Sequence, residues 1–376
     1  MSSKQSSFFF AAYFGVLGAL LPYLGPYLRA RAIGAVGIGL ITAAVSLAKV
    51  VYAPLVGAVV DRGRWLPGML VLHAAVAVAS ALAVLLVQQP WQLGVAFFLL
   101  GLGHATVLPI VEAAILERVP AGGYGALRMW GSIGFIVVAV GAGPLLSAAK
   151  VIRFPVLLVV SLALLVVACR PFERSARPHP RVQRGGSLPA EVWWLLGVLA
   201  LNQVAHGPYY AFFSLHLEDA GWSSTLIGVL WSAGVVAESV AFSFGARLER
   251  WRGLRGLLGS ALVLAPVRWV LLALPPVLPI VIVAQAMHAV TFAVAHLAGI
   301  QLVQHAVPEG MRRRAQALYS GLTFGLGITV GSALAGPLYA AAGGEGAFLA
   351  AAGLSVVVFT LWIPLARRLR AGSQPV

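Results

Sequence analysis

The chain has 376 residues, of which 60% are hydrophobic and only 10% charged, and its mean hydropathy is +0.92; soluble domains carry about 25% charged residues. That composition predicts an integral membrane protein and excludes a soluble globular enzyme. The net charge of +15 would suit a nucleic-acid binder, but the basic residues are scattered over short connectors and form no aromatic-interleaved basic domain, so nucleic acid is excluded as a partner.

A membrane span needs about 20 apolar residues at about 1.5 Å each. Twelve such windows fit, near residues 8–29, 36–60, 66–88, 91–116, 125–147, 151–170, 191–216, 223–246, 255–273, 278–304, 314–339 and 346–366. The first is long enough to span and stay, and no small-residue cleavage site follows it, so the N-terminus is expected in the first helix. The only long polar stretch, Arg170 to Glu191, is rich in Arg and Pro and divides the windows six and six. The expected organisation is therefore a bundle over 1–170, a linker over 171–190 and a second bundle over 191–376. The single Cys169 rules out an internal disulfide framework and reads as a packing residue.

Polar residues inside the spans are few. Lys49 stands in the second, twelve residues before Asp61 and so about 18 Å along a helix from the connector. A Lys this deep must snorkel, lose its proton or meet a carboxylate. The fourth span holds His104 and Glu112, and Arg128 stands near the start of the fifth. Arg128 cannot shed its proton and needs an acceptor, either Glu112 or a solute anion. The eighth span carries Trp231 and, seven residues on and on the same helical face, Glu238. Arg268 follows in the ninth; Gln285, His288 and His296 follow in the tenth. Gln285 and His296 are three turns apart and share a face, which His288 borders. Of the eleven acidic residues only Glu112 and Glu238 lie deep in apolar runs. A charge at the bilayer centre costs about 2.5 to 3.5 kcal/mol on insertion scales, so both carboxylates are expected to be functional. His73 and His104, isolated in apolar helices, are expected to be structural.

Assigning alternate connectors to one side collects nineteen basic residues there and leaves Arg29, Arg31, Lys150 and Arg153 on the other. This bias places both termini and the linker in the cytoplasm. The aromatic residues Tyr13, Tyr23 and Tyr27 in the first span, and Tyr209, Tyr210, Phe212 and Phe213 in the seventh, suit either interfacial belts or a cavity wall.

An internal repeat supports the halving. Gly57-Ala-Val-Val-Asp61-Arg62-Gly63-Arg64 follows the second span, and Gly245-Ala-Arg-Leu-Glu249-Arg250-Trp-Arg252 follows the eighth, offset by 188 residues. In each, a small residue permits close helix approach, and the acid and bases can pair or cap helix ends. Twelve spans in two halves with this repeat resemble the major facilitator superfamily. Tyr124-Gly-Ala-Leu-Arg128-Met-Trp-Gly-Ser-Ile-Gly-Phe135, Trp231-Ser-Ala-Gly-Val-Val-Ala-Glu238, Arg268-Trp269, Gln285-Ala-Met-His288-Ala-Val-Thr-Phe-Ala-Val-Ala-His296 and Ala315-Gln-Ala-Leu-Tyr319-Ser resemble the phenylpropionate permease family. That family is similar in turn to the lactose permease type of proton symporter.

The resemblance implies an all-α fold of twelve transmembrane helices in two pseudo-symmetric six-helix bundles, with gating by Gly57, Asp61, Arg62, Arg64, Gly245, Glu249 and Arg250. It implies proton coupling by Glu238, Arg268 and His288. It also implies solute binding by Glu112 and Arg128, to which the residue pattern adds Lys49, Trp231, Gln285 and His296. One departure stands out: the tenth-span His is followed three residues later by Thr291 where lactose permease has a Glu, so the proton site shifts to Glu238 or coupling is absent. No metal or cofactor is expected, since no Cys or carboxylate joins the two His at ligand spacing and no phosphate-binding loop occurs. The expected function is secondary transport, not enzymatic catalysis: proton-coupled symport of a small organic solute such as an aromatic carboxylate, by a monomer in a bacterial inner membrane. A sugar or nucleoside symporter, an exporter of hydrophobic compounds and a non-transporting membrane sensor are the alternatives.

Overall fold

The computed structural model describes residues 2–61, 68–119, 123–173 and 187–371; residues 51–61, 148, 149, 313, 370 and 371 are described as backbone only. The described residues form helices and connecting turns, with no strand among them. Such a chain suits lipid, where each backbone amide must bond within its own segment.

Six helices make most of the first half: α1 (Ser3–Ala30), α2 (Ala35–Asp61), α3 (Met69–Leu86), α4 (Pro90–Leu116), α5 (Gly123–Ala142) and α6 (Phe154–Cys169). Local chemistry sets their starts. Ser2 caps α1 in a reciprocal box with Gln5, and Pro stands in the first turn of α4 and α6, where its missing N–H costs nothing. After the linker come α7 (Ala190–Val204), α8 (Gly207–Asp219), α9 (Ser224–Ser243), α10 (Gly245–Ala273), α11 (Leu278–His288), α12 (Ala295–His305), α13 (Arg312–Tyr319) and α14 (Ile328–Ala371). Two π-helical segments, Ala289–Val294 and Ser320–Gly327, join α11 to α12 and α13 to α14.

Nine helical stretches among the described residues are long and apolar enough to cross a membrane, against the twelve windows of the sequence. The difference has a local origin. The second window counts only over Ala35–Val50, the seventh is split into α7 and α8 at Ala205–His206, and one stretch of 61 residues covers the last two windows. That stretch breaks at Ala342 and Gly343, where the Gly φ of 60° turns the chain out of the helix. Gly253, at φ 66°, similarly parts the first two turns of α10 from the rest.

The chain forms two compact units, Met1–Arg181 with Ala211–Ser232 and Val182–Tyr210 with Ala233–Val376. In the first, α1 packs on α5 and α6, and α4 on α2 and α3. The α1–α5 contact depends on Gly134: a Cβ there would lie 2.2 Å from the Ala11 carbonyl oxygen, so only glycine admits this approach. The same unit contains the Arg29–Asp219 ion pair at 2.5 Å. In the second unit α14 packs on α7 and α10. Cys169 is a buried free thiol.

Candidate functional site

Each unit holds one polar cluster. In the first, α4 brings Glu112 to Arg128 of α5, with Nε 3.9 Å from Oε1; the side chains are 28% and 35% exposed. Tyr124, one helical turn before Arg128, donates its hydroxyl to Glu112. The Arg128 guanidinium lies 3.8 Å above the Phe14 ring and 5.6 Å from that of Phe10, a cation–π setting that holds the fork in place. A Cβ on Gly131 would come within 2.9 Å of Arg128 Nη1, so this glycine leaves the space that Arg128 occupies.

Glu112, a carboxylate that the sequence left open to either Lys49 or Arg128, meets Arg128. Lys49 instead lies near enough to the His104 ring to act on it electrostatically. His104 stacks on Tyr13 at 4.1 Å with its Nε2 3.4 Å from the Tyr13 carbonyl, and His73 Nδ1 bonds the Met69 carbonyl one turn back at 2.6 Å. Both have local partners of the structural kind.

The cluster of the second unit is more deeply enclosed. Glu238 of α9 and His288 of α11 meet at 2.7 Å between Oε1 and Nε2, with side chains 19% and 5% exposed. Arg268 of α10 is fully buried. Its Nε donates to the Ala284 carbonyl at 2.9 Å, and its guanidinium lies 4.6 Å from the Tyr209 ring and 4.4 Å from the Trp269 ring. Among the described residues Nη1 and Nη2 meet no hydrogen-bond acceptor. Gln285 Nε2 donates to the Tyr209 hydroxyl at 3.0 Å.

Three residues of the tenth window therefore meet one stripe of α9 at successive levels. A Cβ on Gly234 would lie 3.3 Å from Gln285 Nε2, Glu238 meets His288, and Phe242 packs edge-on against His296 at 6.2 Å. His296 Nδ1 is 2.8 Å from the Tyr319 hydroxyl, and the ring lines a small cavity with Gln203, Thr323 and Phe324. Trp231 belongs to the first unit, where its buried indole N–H donates to Ser214 at 3.0 Å and its ring packs edge-on against Phe213.

Of the gating residues, Gly57 and Asp61 fall in the backbone-only part of α2, and Arg62 and Arg64 lie outside the described residues. Gly245 is buried at the start of α10. Glu249 is half-buried and Arg250 exposed in the turns before Gly253. His206 drew no assignment from the sequence, although it is fully buried against Trp269, His288 and Phe292. The one clue was its place after Asn202 and Gln203, three polar residues in a short apolar run. No group of three His, Cys, Asp or Glu residues among the described residues could hold a metal ion.

The arrangement sets charged groups in contact within apolar helices, as suits a carrier. Comparison with known proteins agrees. The sequence profile of the MFS_1 like family matches residues 4–350. The chain is 28% identical over 361 residues to the probable 3-phenylpropionic acid transporter of Escherichia coli K12, covering 90% of this chain and 91% of that one. It is also 28% identical over 333 residues to the maltose permease of Geobacillus stearothermophilus, covering 85% and 83%. Among solved structures, the nucleoside transporter NupG superposes with a TM-score of 0.80 at 17% identity, covering 97% of this chain and 99% of that one. A bacterial homologue of the human lysosomal transporter Spinster superposes at 0.78 with 12% identity, covering 98% and 97%. These last two likenesses concern the fold. With a family match over most of its length, the chain belongs to the MFS_1 like family and is a multi-pass membrane transporter of small molecules with the major facilitator fold.

Proposed function

We propose that this transporter is a proton-coupled symporter of a small aromatic carboxylate, working by alternating access around a site near the membrane midplane. The observation that carries this reading is the buried Glu238–His288 contact at 2.7 Å beside Arg268. Glu238 is able to hold a proton in that apolar setting and to release it when Arg268 draws nearer, because burial favours the neutral acid and an adjacent cation favours the carboxylate. The fork of Arg268 suits a carboxylate, and Tyr209 and Trp269 beside it suit an aromatic ring. The solute named for the E. coli relative has both features. In this reading Glu112 and Arg128 recognise the solute, the six-helix halves 1–170 and 191–376 rock about it, and both termini and the 171–190 linker face the cytoplasm.

The test uses proteoliposomes with an imposed pH gradient, acid outside, and radiolabelled 3-phenylpropionate. Wild type accumulates the solute; Glu238→Gln exchanges it in counterflow but does not accumulate it. Full accumulation by Glu238→Gln would remove Glu238 from the coupling role.

A second reading, symport of a sugar, draws on the half-exposed Glu112, Arg128 and Tyr124. An acid, a guanidinium and a phenol in contact offer paired acceptors and donors to adjacent hydroxyls, and one relative is named a maltose permease. A thermal-shift screen of aromatic acids against sugars separates the two, since a ligand of the folded state raises its apparent stability.

A further inference from the structure

His206 sits where the seventh window breaks. Ala205 and His206 separate α7 from α8, Pro208 follows, and Gly207 is pressed against Gly331 of α14, with a Cβ position 2.0 Å from the Gly331 carbonyl carbon. This close approach fixes the backbone next to His206. Its Nδ1 lies 2.8 Å from the Asn202 carbonyl oxygen. A carbonyl oxygen only accepts, so Nδ1 carries the hydrogen and the neutral ring presents Nε2 as a bare lone pair. That Nε2 is buried and meets no hydrogen-bond partner among the described residues. An uncompensated buried acceptor of this kind is costly to keep.

The groups around it explain why such a lone pair is kept. The His288 ring centroid is 6.0 Å away, and His288 Nδ1 is likewise buried with no partner among the described residues, while its Nε2 faces Glu238. Arg268 acts electrostatically on both imidazoles. Tyr210 at 6.3 Å, Trp269 at 4.8 Å and Phe292 at 6.0 Å complete the enclosure, with Tyr209 packed on His288. The titratable groups around His206 are thus His288, with Glu238 and Tyr209 behind it, Arg268 and Tyr210. The Glu238–His288–His206 order has matching polarity. When Glu238 is protonated its O–H donates to His288 Nε2, which puts the His288 hydrogen on Nδ1, on the side that is bare in the other tautomer.

We propose that His206 is the second proton carrier of this site and takes up its proton when a solute carboxylate neutralises Arg268, an inference that rests on the symport reading above. The transfer balances. The Glu238 proton passes to His288 Nε2, the His288 Nδ1 proton passes through one bridging water to His206 Nε2, and the Glu238 carboxylate so formed regains a proton from solution, which leaves a protonated Glu238, a neutral His288 and a His206 imidazolium with one proton bound per anion. While the Arg268 charge is uncompensated it opposes the imidazolium. An anion on Nη1 and Nη2 removes that opposition, so anion and proton favour each other's binding by the same factor. His206 thereby supplies the second proton-accepting group in a site where Thr291 replaces the acid of the lactose permease type.

The experiment is the pH dependence of 3-phenylpropionate binding to purified protein, by calorimetry between pH 6 and 8. If one proton is taken up per anion, wild-type affinity falls by about tenfold per pH unit as pH rises. His206→Gln, which keeps an amide in place of the ring, is expected to bind the anion with a flat profile. Histidine-selective 15N NMR of the wild-type protein is a second measurement, independent of any variant's folding: the His206 ring is expected as the Nδ1–H tautomer without ligand and as imidazolium with 3-phenylpropionate. A His206→Gln protein that keeps the wild-type slope, or a His206 ring that stays neutral with ligand, overturns the role of His206; if Glu238→Gln alone then flattens the profile, the symport reading survives. Wild-type binding that is absent, or insensitive to pH, overturns both.

Discussion

The two polar clusters draw on the same residue types and differ in how far they are enclosed. Glu112 and Arg128 are 28% and 35% exposed and lie 3.9 Å apart, with Tyr124 and the Phe14 ring as further partners. Glu238 and His288 are 19% and 5% exposed, and Arg268 is entirely enclosed with two of its nitrogens unmatched among the described residues. A partly exposed ion pair is adjustable at less cost than an enclosed one and suits recognition of a polar solute. A buried charge without a full set of partners is expensive, and its protonation responds steeply to any neighbour that arrives or leaves. Exposure, more than residue type, is what separates a recognition cluster from a coupling cluster here.

The largest effect is expected at the two arginines. Arg268→Lys loses the fork that lies against Tyr209 and Trp269, and accumulation should fall by about 100-fold or more; Arg128→Lys should raise KM about tenfold with the maximal rate retained. Initial-rate transport in proteoliposomes checks both, and equal losses in both parameters at both sites would erase the contrast. Next comes Glu112→Gln, which removes the acid but leaves an acceptor. KM is expected to rise about tenfold, as for the loss of a charged hydrogen bond, while the final accumulation ratio at a given pH gradient is unchanged. A lowered ratio would make Glu112 part of the coupling as well. Tyr124→Phe should raise KM by a few-fold, since only one donor to Glu112 is lost; no change would mean that the phenol does not tune the acid.

The smallest effect isolates a pH response that belongs to neither cluster. Glu218 lies beyond the 191–216 window, beside Arg29 and Asp219. Burial pushes its carboxyl up to about 7 from an ordinary 4.5, with Arg29 opposing the rise and Asp219 adding to it. A carboxyl raised in the folded state keeps its proton where the unfolded chain has lost it. Its contribution to stability is therefore whole below about 4.5, declines as pH rises, and is gone above about 7. Thermal unfolding of Glu218→Gln followed from pH 4 to 8 should decline less across that window than the wild type. An identical decline would assign it elsewhere, with the buried second-unit cluster as the next place to look.

Much of both clusters was legible in the sequence because a charge in an apolar run is conspicuous and costly. Glu112, Arg128, Glu238, Arg268 and His288 announced themselves in this way, and the structure brings them together as Glu112 with Arg128 and Glu238 with His288. Trp231 illustrates the limit. Its seven-residue spacing from Glu238 predicted one helical face, but an indole N–H that finds Ser214 is occupied, and no spacing reveals that partner. His206 was harder still. Its importance lies in Trp269, His288 and Asn202 around it, and contacts between helices leave no local pattern.

Composition and hydropathy by themselves determined that the chain is a helical membrane protein, because the cost of burying backbone amides and charges in lipid leaves few solutions. The order of apolar windows and the two copies of the glycine-acid-arginine motif determined its resemblance to the major facilitator superfamily. Tertiary structure alone decided which charge meets which partner: that Glu112 takes Arg128, that Arg268 lies against two aromatic rings, and that His206 is buried beside Trp269 and His288. The physical reason is that insertion costs are paid residue by residue along the chain, whereas pairing and exposure depend on how helices rotate and pack, which is settled by many small contacts at once.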